Sequence, residues 1–129
     1  MRHLFQIFLC AKKGFSVICV YNNRQKLNDY LITSLNQQDF PFESFMIDNT
    51  ANNIESAARI LNETARKARY EYLIFVHQDV TLYSHTWLAD AYKDLGTLQH
   101  LGSAGVAGKN ENGLVASVTH GNPPFLYSR

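Results

Sequence analysis

The apolar run Tyr72-Leu73-Ile74-Phe75-Val76 stops abruptly at His77-Gln78-Asp79. Apart from the Tyr72 hydroxyl its side chains are hydrophobic, which fits a strand buried on both faces in a parallel sheet covered by helices. Open sheets of that kind bind ligands beyond the carboxyl ends of their strands. His77, Gln78 and Asp79 fall at such an end. An Asp after a strand also serves as a plain turn-former or helix cap, so the rest of the chain has to decide between the two.

Phe15-Ser16-Val17-Ile18-Cys19-Val20 has the length and β-branched content of a strand, and it runs into Tyr21-Asn22-Asn23, a polar turn able to cap a helix. Leu27, Tyr30, Leu31, Ser34 and Leu35 then recur at helical spacing. Phe40-Pro41-Phe42 ends that helix, and Phe45-Met46-Ile47 predicts a second short strand closing at Asp48-Asn49-Thr50. Ile54, Ala57, Ala58, Leu61, Ala65 and Ala68 mark a second helix, capped by Asn52 or Asn53, that delivers the chain to the strand at Tyr72. Past Asp79, Ser84 can cap a third helix with Leu88, Ala91, Tyr92 and Leu95 on its inner face and its end at Gly96 or Gly102. Residues 104–108 and 114–118 read as short strands around a Lys109–Gly113 turn, and the tail after Gly121 reads as irregular.

Strand and helix alternate three times through short loops, which implies right-handed βαβ crossovers. The expected fold is α/β: a three-layer sandwich with a mainly parallel, Rossmann-like sheet. At 129 residues the chain is one domain, with 1–14 as a leader or edge strand, 15–121 as the domain and 122–129 as a tail. A hydrophobic fraction of 46% against 18% charged residues is that of a globular protein. The net charge of +1, with scattered Lys and Arg, gives no electrostatic basis for nucleic-acid binding. Cys10 and Cys19 have no CxxC spacing and read as reduced thiols in a cytosolic protein. The apolar stretch 4–11 is too short to span a bilayer, which leaves contact with a membrane surface open. Neither GxGxxG nor GxxxxGK[ST] occurs, and His3, His85, His100 and His120 share no metal-site spacing.

Three strand ends thus carry polar signatures: Val20-Tyr21-Asn22-Asn23, Ile47-Asp48-Asn49-Thr50 and Phe75-Val76-His77-Gln78-Asp79. Their order and spacing, from residue 15 to about 121, resemble the family-two-like GT-A glycosyltransferases. The sequence Phe-Val-His-Gln-Asp-Val is similar to a bacterial branch with His-Gln-Asp in place of the DxD motif. The resemblance implies a nucleotide-sugar-binding half-domain whose cleft is formed by Val20, Tyr21, Asn22, Asp48, Asn49, Gln78 and Asp79. It makes Asp79 the last acid of DxD and puts His77 at the first, the two holding a divalent metal, Mn or Mg, on the diphosphate. His77 differs from an acid there because a neutral imidazole brings no negative charge. Leu61 stands where many relatives place an Arg before the Asn matching Asn62.

The resemblance further implies an inverting transfer of sugar from a nucleotide-diphosphate sugar to a glycan acceptor in surface polysaccharide synthesis, in the cytoplasm at the inner face of the membrane. The base in such enzymes comes from a later acidic segment. Here the sole Asp or Glu after Asp94 is Glu111, in a Gly- and Asn-rich turn that reads as solvated, so the catalytic residue is unassigned and the donor half alone is expected. The alternative is a nucleotide-sugar-binding or interaction module without transfer activity. A response-regulator-like domain fits poorly, lacking the acidic pair and lysine at the strand ends. Trp87 reads as core or cleft wall, and self-association is left open.

Overall fold

Phe15, Val17, Ile18 and Val20 favour extended backbone and form the middle of strand β1, Lys12–Tyr21. The computed structural model describes residues 11–99 and Gly102, together with two-residue strands at 109–110, 113–114, 119–120 and 125–126. The expectations for the stretch before residue 11, including Cys10 and His3, those for His100 and Glu111, and the strands expected at 104–108 and, past Leu114, at 115–118 lie outside the described residues. The chain divides into two compact units, Met1–Asp94 and Leu95–Arg129.

In the first unit β1 is the central strand. It pairs in parallel with β2, Phe42–Asp48, on one side and with β3, Tyr70–Phe75, on the other, giving the order β2-β1-β3. Phe15 lies beside Phe42 and Tyr72, and Ile18 beside Phe45 and Phe75. The strand begins at Lys12, inside the stretch expected as a leader, because the Lys12 N–H donates to the Arg69 carbonyl at 3.0 Å.

Helical segment α1 covers 24–35 as an α-turn at Arg24–Lys26, a π-helical stretch at Leu27–Ile32 and a final α-turn at Thr33–Leu35. Asn23 caps it, its side chain accepting from the Lys26 N–H at 3.0 Å. Leu27, Leu31 and Leu35 are buried as expected, whereas Tyr30 is 46% exposed. In the π stretch the Thr33 N–H reaches back five residues to the Asn28 carbonyl. That wider turn keeps positions four apart in line and rotates Tyr30 off the inner face.

Helix α2, Ala57–Ala65, is capped by Ser56, whose Oγ accepts from the Arg59 N–H at 3.2 Å, and not by Asn52 or Asn53. Asn52 instead takes a positive φ of 50° in the loop after β2, a conformation Asn tolerates. Helix α3, Trp87–Gly96, ends at the first of the two expected glycines. The crossovers out of β1 and into β3 run in opposite directions, so right-handed connections put α1 and α2 on opposite faces of the sheet.

Phe15, Phe40, Tyr72 and Tyr92 form a ring cluster with neighbouring centroids 5.0–6.1 Å apart, placing the middle of α3 on the same face as the chain that leaves α1. Gln38 joins those two helices. Its Oε1 accepts from the Leu88 N–H at 2.9 Å and its Nε2 donates to the Ser84 carbonyl at 2.7 Å.

The expectation that the third strand is buried on both faces is not met. Side chains of β3 alternate, with Leu73 43% and Phe75 53% exposed. The strand is the outermost of the described sheet, and α2 packs chiefly across β1. In the second unit β4 (Lys109–Asn110) pairs antiparallel with β5 (Gly113–Leu114). The hairpin is therefore tighter than the expected Lys109–Gly113 turn. β6 (Thr119–His120) pairs antiparallel with β7 (Phe125–Leu126), so the tail expected to be irregular contains a strand. No helix among the described residues is long and apolar enough to cross a membrane.

Candidate functional site

The strand order fixes where a crevice opens. The chain leaves β1 toward β2 on one side and returns to β3 on the other, so the carboxyl ends of β1 and β3 flank the switch point. On the β2 side the pairing persists past the strand, with the Asn49 N–H donating to the Tyr21 carbonyl at 2.7 Å. On the β3 side it reaches only the Val76 N–H on the Ile18 carbonyl, at 3.1 Å. β1 therefore runs on beyond its partner there, and the gap between the two chain ends is a pocket of about 210 Å³.

Val20, Tyr21, Asn22, Asn49, His77, Gln78 and Asp79 line this pocket. All but one of the residues singled out from the sequence are thus brought together. The remaining one, Asp48, does not line it. Its Oδ1 accepts from the Thr50 N–H at 2.8 Å and the Thr50 hydroxyl at 2.7 Å, and its Oδ2 accepts from Arg24 Nη2 at 2.8 Å. The Thr50 N–H and hydroxyl above all, with Tyr21 and Arg24 adding to them, hold the Asp48 carboxyl down at about 2. Arg24 also sits 5.6 Å above the Tyr21 ring. The Tyr21 phenol is pushed up by burial and by its hydrogen bond to Asp48.

The Asp-Asn-Thr order reads as an Asx turn that pairs Asp48 with Thr50, as the structure has it, whereas sequence reasoning missed Arg24. Arg24 had only its position directly after the Tyr-Asn-Asn turn.

His77 and Asp79 are exposed on either side of half-buried Gln78. The Val80 N–H returns to the His77 carbonyl at 3.4 Å, turning the chain at the pocket rim. Cys19 lies beneath. Burial first, and then the Asp79 charge, raise its thiol to about 11, so it stays protonated and inert at neutral pH. Gln78 Oε1 accepts from the Asn22 N–H at 3.0 Å and the Asn23 N–H at 2.9 Å, while Nε2 donates to Asn22 Oδ1 at 2.8 Å. Among the described residues no group of three or more His, Cys, Asp and Glu is disposed around a metal position. Trp87, at the start of α3, is half-buried.

Residues 16–120 match the glycosyltransferase-like family. No curated protein and no solved structure gives a significant match. The family match runs from the central strand to β6 and takes in every residue that lines the crevice, and on that extent the chain belongs to the glycosyltransferase-like family.

Proposed function

We propose that this chain is a glycosyltransferase donor domain that binds a nucleotide-diphosphate sugar at the ends of β1 and β3. The observation that carries the reading is the crevice itself: it lies at the switch point of the sheet and gathers His77, Gln78 and Asp79 against Val20, Tyr21 and Asn22. Tyr21 and Asn49 are on the side of the nucleoside, and Asp79 and His77 on the side of the diphosphate. Asp48 supports the Tyr21 wall through Arg24 and, once Arg24 moves aside, offers Oδ2 to a base or ribose.

The pair Asp79 and His77 fits a divalent cation, Mn or Mg, shared with the ligand. Two protein donors are too few for a self-contained site, but they suffice where phosphate oxygens and water complete the coordination. Such a cation neutralises charge that builds on the departing diphosphate as the bond to the anomeric carbon breaks. Among the described residues, Asp79 supplies the one carboxylate that lines the crevice. In an inverting transfer the acceptor hydroxyl adds to the anomeric carbon from the face opposite the diphosphate and gives its proton to a base. The proposed acceptor is a glycan of surface polysaccharide, reached at the cytoplasmic side of the membrane.

A second reading, a nucleotide-sugar-binding module without transfer, is favoured by that same count of carboxylates, because Asp79 cannot both hold a cation and act as base. Calorimetric titration with uridine, guanosine and thymidine diphosphates, with and without manganese, tests the donor site: one of them should bind. A folded sample that binds none of them refutes it. Product analysis with nucleotide-sugars and glycan acceptors separates transfer from binding alone.

A further inference from the structure

Gln78 joins two segments of the crevice that are 55 and 56 residues apart in sequence. Its side-chain oxygen takes two consecutive backbone N–H groups, those of Asn22 and Asn23, and its side-chain nitrogen returns a bond to Asn22 Oδ1. Beyond the Val76–Ile18 backbone bond the strand ladder has ended, so these three bonds carry the connection onward from β3 to the loop after β1. The loop is held from the other side by the Asn23 cap on Lys26 and by the Asn49 bond to the Tyr21 carbonyl. With both of its acceptor directions and one of its donors engaged, the Gln78 amide has one N–H left for a ligand.

We propose that Gln78 is a positioning residue: it clamps the Tyr21–Asn23 wall to the His77–Asp79 turn and thereby sets the width of the crevice for its nucleotide. The proposal rests on the donor-site reading above. Gln78 acts on the ligand through Tyr21 and Asn22 on one wall and through His77 and Asp79, its own neighbours, on the other. The opposite possibility is a plug, in which the amide covers two N–H groups that a phosphate oxygen would otherwise take. The two differ in sign. Removing a clamp weakens nucleotide binding, whereas removing a plug strengthens it.

The test compares wild type with Gln78→Leu and Gln78→Glu, reading the backbone amide exchange of Asn22 and Asn23 by NMR without ligand and then the affinity for uridine, guanosine and thymidine diphosphates. In Gln78→Leu both amides should exchange at least about tenfold faster, the loss of about one net hydrogen bond each, with β1 amides unchanged. The best-bound nucleotide should weaken by about tenfold, as a misplaced wall would cause. Glu retains both acceptor directions and the Asn22 amide can turn to donate, so Gln78→Glu should keep the two amides protected. Unchanged exchange in Gln78→Leu, or tighter nucleotide binding, overturns the clamp. A wild-type chain that binds none of the three nucleotides defeats the donor-site reading and the ligand half of this proposal together, while amide exchange still decides whether the clamp exists.

Discussion

Replacing Glu43 should cost more stability than any surface carboxylate, because its side chain bridges the three described strands of the first unit. Glu43 lies on β2 beside Ser16 of β1, and its Oε1 accepts from the Ser16 hydroxyl at 2.7 Å and from the Arg69 N–H at 2.6 Å, just ahead of β3. Its Oε2 accepts from Arg69 Nε at 2.9 Å, and only 12% of the side chain is exposed. Ser16 is fully buried and also accepts from the Tyr70 N–H at 3.3 Å, which explains a polar residue in an otherwise apolar central strand. The guanidinium of Arg69 is 64% exposed, so the ion pair itself is discounted to below about 1 kcal/mol. The hydroxyl and the backbone N–H would be left unpaired, at about 1 kcal/mol or more each. Glu43→Ala should therefore lose about 3 kcal/mol, a large part of the roughly 5–15 kcal/mol that holds a domain together. Burial alone would raise the Glu43 carboxyl, but the Arg69 N–H, the Ser16 hydroxyl and the Arg69 guanidinium outweigh it and set it below its ordinary value. A lowered carboxyl contributes stability above the unfolded value, near 4.3, and loses it as pH falls through the folded one. Urea unfolding of wild type and Glu43→Ala should thus show the full gap at pH 7 and a narrower gap below about pH 4. A gap under about 0.5 kcal/mol at pH 7, or one that widens in acid, would refute the bridging role.

Gly14→Ala should destabilise by about 3 kcal/mol or more in the same assay, since φ is +140° and an added Cβ would lie 2.3 Å from the Pro41 carbonyl oxygen and 2.7 Å from the Tyr70 ring; a loss below 1 kcal/mol would mean that the close approach does not hold in solution. At the crevice, Asp79→Asn should abolish most of any manganese enhancement of nucleotide binding and His77→Ala should reduce it less, because only the carboxylate brings charge to the cation. The reverse order of effects in calorimetry would exchange the two roles.

The strand ends were legible in the sequence because each signal was local. An apolar run ending in polar residues marks the carboxyl end of a strand, and three such ends in one chain mark one edge of a parallel sheet. Helix faces were legible where spacing was regular, as for Leu27, Leu31 and Leu35. The π stretch defeated the reading of Tyr30, since a five-residue hydrogen bond leaves no mark in hydrophobic spacing. Exposure of Leu73 and Phe75 was likewise hidden, because an apolar run states what a strand could bury and not which helix passes over it.

Asp48 shows where local reading stops at the site itself. Its position at the carboxyl end of β2 is the one a ligand-binding acid would occupy, and nothing within the strand distinguishes that from a structural acid. What distinguishes them is Arg24, supplied from the first turn of α1 across the β1–β2 boundary, together with Thr50 from its own turn. A carboxylate already held at about 2 by such partners stays charged at any physiological pH and is poorly suited to take a proton. Any part Asp48 has in the crevice is therefore as an acceptor and as an anchor for Arg24 over Tyr21, and the search for a base belongs elsewhere.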